Sequence, residues 1–431
     1  MTMKKIVQFL CAASIGIFAS TSANAQRVSD KDIVEAYHYM LGRWLVLRQE
    51  TLDLKSGMKW NEVTHRAPGG VDWANPNLDV AYSEAWIAVD ETSCTLVTLP
   101  KITGRYYTVE VLNGWAEVTA NINERNFPKH PSGTFALCLK GAKVQLPPDA
   151  QRIDLPNRKS RVLMRIELGA KPDEAIALQQ QITMKATGKP AVEDMVVKFD
   201  FPNDKLPGVE AFDSTAAILQ AEPDINRGMR RPQRRARAVA LAAKDPKERA
   251  KIDAIIREQA IPAFMALVKE PGVARNGWIR PRIAGNYAND YATRSLANFA
   301  GIWANNTKEV VYFLGGGLNG SETYIQSYPK DALPVSKTQY FWSVVAVDTE
   351  NFRVIPNSLN RFILNKQSAL QPNPDGSVTL AFAPKLPAGV PEANWLPTPE
   401  GKRYNLTYRF YGPAKDVVSG NYVPPALIVR K

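Results

Sequence analysis

Ala81-Tyr-Ser-Glu-Ala-Trp-Ile-Ala-Val89 is the first of a series of short apolar runs that decides the fold. Cys94 to Leu99, Tyr106 to Leu112, Phe135 to Leu139 and Val162 to Leu168 follow it at short intervals. Turn residues such as Asn113-Gly114 and Lys140-Gly141 separate or bound them. Short strands broken by frequent turns predict a β-sandwich or barrel. Upstream, residues 29–48 read as a helix. Ser29 or Asp30 can cap it, and Ile33, Tyr37, Met40, Leu41 and Trp44 repeat at helical spacing.

Downstream the period changes again. Pro172 to Thr187 reads as a helix with Asp173 near its start and Gly188 at its end. Asp213 to Leu219, Arg234 to Ala243, Pro246 to Glu258 and Pro262 to Lys269 continue a helical middle. After residue 300 strands return at Glu309–Leu314, Glu322–Ser327, Tyr340–Val347, Arg361–Leu364, Ser377–Phe382, Tyr404–Tyr411 and Ala426–Val429. Asn373-Pro-Asp-Gly376 is a turn among them. Strands, then helices, then strands predict a mainly β chain: two β-sandwich or jelly-roll-like domains joined by a helical region. The expected boundaries are 26–170 for an N-terminal β domain with a leading helix, 171–297 for the helical connection and 298–431 for the C-terminal sandwich.

The first 25 residues read as a cleavable signal peptide. Lys4 and Lys5 precede an apolar stretch from Ile6 to Ala19, and Ala23-Asn-Ala25 gives a small-x-small cleavage site. Removing 25 of 431 residues leaves 406, beginning at Gln26. No later apolar run is long enough to span a bilayer, so the expectation is a soluble periplasmic or secreted protein. The net charge of +12 falls to +10 when Lys4 and Lys5 are lost. For an exported chain that charge suits a solvated surface, anionic envelope polymers or acidic ligands, and nucleic-acid binding is set aside. Arg227 to Arg237 holds six arginines and reads as a solvated face, or a docking site for an acidic partner. Cys94 and Cys138 lie in strand-like runs, where a disulfide and two buried thiols are both open.

Familiar catalytic motifs are missing or out of context. Gly315-Gly-Gly317-Leu-Asn-Gly320 has the dinucleotide spacing, yet strand-like Ser321 to Gln326 follows it where a helix is needed. It reads as a glycine-rich turn between strands, and no cofactor is expected. His38, His65 and His130 are scattered, and with two cysteines they make no metal-site spacing. Ser56-x-x-Lys59 and Ser327-x-x-Lys330 lack companion motifs.

Two stretches combine polar and aromatic side chains. In Asn75-Pro-Asn77-Leu-Asp79-Val-Ala-Tyr82-Ser83, a loop enters a strand, so alternate residues share a face. Asn77, Asp79 and Ser83 can then project near one another, and with the Tyr82 phenol they can orient a polar ligand, with Asp79 as acid or base. The competing reading is a loop tied down by its own hydrogen bonds. Asn394-Trp395-Leu-Pro-Thr-Pro399 and Arg409-Phe-Tyr411 can form an aromatic and cationic face, or a tryptophan anchor for an irregular loop.

At these residues a family resemblance emerges. Asn77-x-Asp79-x-x-Tyr82-Ser83, Gly104-Arg105-Tyr-Tyr107 and Asn113-Gly-Trp115 resemble the domain-of-unknown-function family numbered 1254. Asp290-Tyr291-x-x-Arg294, Tyr340-Phe-Trp342-Ser343, Asn357, Arg361-Phe362, Asp375-Gly-Ser377, Asn394-Trp395-Leu-Pro397-x-Pro399 and Arg409-x-Tyr411-x-Pro413 resemble the family numbered 1214. The resemblance implies two β-sandwich-like domains with helical additions and a homo-oligomer; it implies no activity. Val80 stands where the motif leads one to expect threonine.

The reading that results is an exported protein that binds a small polar or aromatic-containing organic molecule, and in one version also hydrolyses or processes it. The site is expected between the β domains, with Asp79 catalytic and Asn77, Tyr82, Arg105, Trp342, Arg361, Trp395 and Arg409 positioning the ligand. Arginine suits a carboxylate because its fork makes paired hydrogen bonds. The alternative is a non-catalytic envelope assembly or interaction protein, in which Asn77, Asp79 and Arg105 form an internal network.

Overall fold

The structure, a computed structural model, describes residues 28–69, 75–192, 200–269 and 272–431. The expected signal segment lies outside the described residues.

Helix α1, Asp30–Lys55, starts where Ser29 accepts a hydrogen bond from the Asp32 amide, with Asp30 and Asp32 in its first turn. It runs about two turns beyond the stretch read from the sequence and is buried on almost every side. Gly57, at φ 100°, follows its end.

The N-terminal sandwich contains β1 (Thr64–His65), β2 (Val80–Ala88), β3 (Thr95–Leu99), β4 (Tyr107–Leu112), β5 (Val118–Ile122), β6 (Gly133–Leu139), β7 (Gln151–Leu155) and β8 (Lys159–Glu167). Helix α2, Pro172–Gln180, and strand β9, Thr183–Ala186, complete it. One sheet has the order β1-β2-β8-β4-β5 and the other β7-β6-β3-β9. Ala85, Ile87, Val109, Val111, Val162 and Met164 of the first sheet meet Val97, Phe135 and Leu137 of the second in a common core. Thr183 to Ala186, read from the sequence as helix, instead pairs antiparallel with β3. That pairing fills the hydrogen bonds of a strand otherwise left at the sheet edge, and it places Met184 against the core. Cys94 and Cys138 form a disulfide on the outer side of the second sheet, among Leu96, Val144 and Leu146.

The helical region comprises α3 (Thr215–Ala221), α4 (Arg230–Ala242), α5 (Pro246–Ile255) and α6 (Ile261–Lys269), with a π turn joining the last two. Ala236 and Val239 of α4, Ile252 and Ile255 of α5 and Phe264 of α6 pack around α1 in a core of their own. Buried ion pairs from Arg294 to Asp224 and Glu117, with a hydrogen bond from Arg43 to the Gly114 carbonyl (2.6 Å), tie this bundle to the first sandwich. The arginine run occupies the end and the outer face of this region. Arg235 turns inward to pair with Asp32 and Glu35 of α1.

The C-terminal sandwich begins with β10 (Val273–Arg275) and β11 (Trp278–Arg280), followed by α7 (Tyr291–Gly301), which Asp290 caps. Strands β12 (Val310–Asn319), β13 (Thr323–Tyr328), β14 (Thr338–Asp348), β15 (Ile363–Asn365) and β16 (Val378–Ala383) follow. Then come β17 (Trp395–Pro397), β18 (Arg403–Pro413), α8 (Lys415–Ser419) and β19 (Ile428–Arg430). The sheets run β10-β11-β12-β18-β14-β15 and β17-β16-β13-β19. Trp278, Phe313, Trp342, Leu380, Phe382, Tyr408 and Phe410 fill the core between them. The triple glycine lies inside β12 at a register shift rather than in a turn; only Gly320 is in the turn. A Cβ on Gly315 would stand 2.8 Å from the Trp278 ring, and one on Gly320 would stand 1.8 Å from the Pro399 carbonyl oxygen, so close packing accounts for both.

The chain is thus mainly β, two sandwiches with a helical region between them in sequence. The two sandwiches meet face to face. Val80, Tyr82, Trp86, Tyr106 and Leu163 of the first pack against Val310, Phe341 and Tyr411 of the second. Among the described residues no helix is long and apolar enough to cross a membrane.

Candidate functional site

Strand alternation builds the site. In β18, Tyr404, Leu406, Tyr408 and Phe410 enter the sandwich core, so Thr407, Arg409 and Tyr411 face the other domain. In β8, Val162, Met164 and Ile166 enter the first core, which turns Arg161, Leu163 and Arg165 outward. Between these two faces is a cleft of about 1150 Å³. Tyr82 and Glu84 of β2 and Tyr312 and Leu314 of β12 complete its walls. Arg48 and Asp53 of α1, residues 200–204, the segment 296–304 and Arg353 close around it.

The walls carry buried charge. Arg161 pairs with Glu84 and, at 3.3 Å, with Asp53; Arg66 approaches Glu84 at 3.2 Å. The Trp86 indole donates to Asp53 at 2.9 Å, and the Arg161 guanidinium lies over the Trp86 and Trp303 rings at 5.0 and 5.7 Å. Arg165 pairs with Glu110 and donates to the Trp303 carbonyl at 3.0 Å. Burial pushes Glu110 up to about 7 against the pull of Arg165. Burial also pushes Tyr82 and Tyr312 up to about 12 and Tyr411 higher still. All three phenols therefore keep their protons at neutral pH. Arg409, 2% exposed, donates from Nη2 to the Asn75 carbonyl at 2.6 Å, while its Nη1 is buried without a hydrogen-bond partner among the described residues.

Three non-glycine residues with positive φ gather at the cleft: Asn75 (50°), Trp303 (69°) and Phe352 (60°). The Asn75 amide donates to the Phe352 carbonyl at 2.8 Å, and its side chain donates to the Ala300 carbonyl and accepts from Thr407. A bulky residue held at positive φ costs about 1 kcal/mol or more, and such strain concentrates at functional sites.

Of the residues expected from the sequence, Asn77, Tyr82 and Arg409 line the cleft. Asn77 donates to the Tyr411 hydroxyl at 2.9 Å and accepts from the Asp79 amide at 2.9 Å, so it bridges the domains. Asp79 sits behind the wall. Its Oδ1 accepts from Asn365 of the other domain at 2.7 Å, and its Oδ2 is buried without a hydrogen bond of ordinary geometry, as is the Ser343 hydroxyl. Burial pushes Asp79 up to about 6, with Ser343, Asn365 and Arg409 opposing and Glu167 adding to the rise. Arg105 is elsewhere: it donates to the Glu167 and Leu168 carbonyls at 2.9 and 3.2 Å and pairs with Glu174 of α2. Trp342 points into the second sandwich core. Arg361 and Trp395 come together away from the cleft. Arg361 donates to the Glu392 and Trp395 carbonyls, and the Trp395 indole donates to the Ala383 carbonyl at 2.8 Å.

Arg66, Glu84, Arg161, Arg165, Trp303 and Tyr312 were not singled out. The signal for two of them is Arg161-x-Leu-x-Arg165, charges four apart on one face of an apolar strand. Among the described residues no three His, Cys, Asp or Glu side chains gather as a metal site would require.

Residues 60–186 match the family described as Protein of unknown function DUF1254, and residues 314–415 match Protein of unknown function DUF1214. The chain carries a DUF1254 region followed by a DUF1214 region. The cleft draws Tyr82, Glu84, Arg161 and Arg165 from the DUF1254 region, and Leu314, Thr407, Arg409 and Tyr411 from the DUF1214 region. No curated protein matches the chain. The VPA0106 protein from Vibrio parahaemolyticus superposes with a TM-score of 0.63 at 17% identity, covering 94% of this chain and all of that one. At that identity it is similar in fold alone. An uncharacterised protein from Burkholderia cenocepacia gives a TM-score of 0.48 at 14% identity, with 93% of each chain covered.

Proposed function

We propose that this protein binds a small organic molecule in the cleft between its DUF1254 and DUF1214 sandwiches. One observation carries the reading: ionised side chains are held buried on the wall of a cavity that has room for a drug-sized ligand. Buried ion pairs seldom improve stability over apolar packing, so a fold that keeps several around an open space supports a role for that space. Strained Trp303 at its edge supports the same role. Asp79 lies behind the wall, so the proposal gives it no acid–base step and is one of binding. Export is part of the proposal, supported by the Cys94–Cys138 disulfide, which an oxidising compartment sustains.

The test is a thermal-shift screen of residues 26–431 against polar, acidic and aromatic small molecules, run beside Ala297→Trp. Ala297 lines the cleft from α7, so an indole there intrudes into the space beside the 296–304 segment. A compound that raises the wild-type midpoint and raises that of the obstructed variant less supports the proposal. Equal shifts in both proteins refute it.

A further inference from the structure

We infer that the ligand of this cleft is an organic acid whose single carboxylate sits on Arg409 and whose apolar body lies along Leu163, Ile302 and Trp303. The inference rests on the cleft being the binding site, and goes beyond it by naming the ligand class.

The argument is one of charge. Two of the buried guanidinium groups on the wall have carboxylates of their own: Arg161 has Glu84 and Asp53, and Arg165 has Glu110. Arg409 is as deeply buried, yet among the described residues no carboxylate lies within ion-pair distance of it. Its nearest influence of opposite sign is Asp79, which faces Asn365 and Ser343 and does not reach the wall. A buried guanidinium without an anion and with an N–H unpaired is costly, and an incoming carboxylate removes that cost.

The surroundings of Arg409 fit the same guest. Tyr312 lies directly across from it on the neighbouring strand, Thr407 and Tyr411 share its face, and Tyr82 approaches from the opposite sheet. Phenols donate to a carboxylate, and none of these groups offers an anion to compete with it. A second negative charge on the ligand meets Glu84 and Asp53 elsewhere on the wall, which favours a singly charged head. Leu163, Ile302, Trp303 and Leu314 leave an apolar strip for the remainder of the molecule. A planar, singly charged head and an apolar tail follow.

The experiment compares acids with their amides, which have the same shape and no charge. Phenylacetate and hexanoate are titrated against phenylacetamide and hexanamide, by calorimetry, into wild type, Arg409→Gln, Arg409→Lys and Ala297→Trp. The expected result is binding of at least one acid to wild type, at least about tenfold weaker binding of its amide, and a loss of at least about tenfold in Arg409→Gln, as for a charge-assisted paired contact. Ala297→Trp binds both more weakly. Acid and amide binding alike to wild type, with Ala297→Trp binding both more weakly, overturns the acid and leaves the cleft standing. Ala297→Trp binding as wild type does overturns the cleft itself. Should Arg409→Gln fail to fold, Arg409→Lys, which keeps the charge and loses the fork, decides: undiminished acid binding there overturns the paired seat.

Discussion

Asp79→Asn tests the electrostatics of the domain junction. Asp79 is buried behind the cleft wall beside Asn365 and Ser343, feels the charges of Arg409 and Glu167 at longer range, and has its carboxyl raised from 3.8 to about 6 by burial. An acid with a folded value above its unfolded one holds its proton more tightly when folded. Its favourable contribution is therefore complete below 3.8 and is lost as pH rises through 6. Two units correspond to about 3 kcal/mol, which wild type forfeits above pH 6. Asparagine never ionises. It keeps the oxygen that accepts from Asn365 (2.7 Å in wild type) and turns an amide toward the Ser343 hydroxyl, which can accept. The expected outcome is a variant more stable than wild type by about 3 kcal/mol at pH 7.5 and by about 1 kcal/mol at pH 4.5. Glu110 and Glu222, both also raised to about 7, contribute to both proteins and cancel in the difference. Urea unfolding followed by tryptophan fluorescence, at steps between those two pH values, reads it. A difference that is flat with pH, or a variant less stable than wild type at pH 7.5, refutes the reasoning.

Other outcomes follow from single contacts. Glu84→Gln leaves Arg161 with Asp53 alone and Arg66 unpaired, and should lower stability by about 3 to 5 kcal/mol in urea unfolding; a change under 1 kcal/mol contradicts the buried-pair account. Replacing Cys94 and Cys138 by alanine opens a loop spanning 44 residues and should cost about 4 kcal/mol on chain entropy, measured against oxidised wild type. Gly315→Ala drives a methyl into the Trp278 ring and should lower stability by about 1 to 3 kcal/mol with a changed near-UV tryptophan signal.

The sequence made the strands legible because each sandwich has one face against its own core, so apolar residues repeat every second position from Tyr404 to Phe410. The same parity carries information about the site. Trp342 is paired across the sheet with Phe410, and Ser343 with Arg409, so tryptophan and arginine belong to opposite faces. Reading Trp342 and Arg409 as one ligand surface overlooked that alternation. The outward charges of β8 were legible too, since an apolar strand with arginine at every fourth residue buries them only against a second partner. Asp79 was not legible in this way. Its partner Asn365 is 286 residues distant, and no local pattern distinguishes an acid that faces a ligand from one that clasps another domain. The same limit applies to α1, whose amphipathic pattern shows a buried face but does not show that α4, α5 and α7 cover the rest.

The most direct measurement is the affinity and stoichiometry of the best-stabilising compound, by calorimetry, in wild type and in Ala297→Trp. The account predicts one molecule bound per wild-type chain and at least about tenfold weaker binding in the variant whose cleft the indole obstructs. Equal affinity in the two proteins would place the site elsewhere and contradict it.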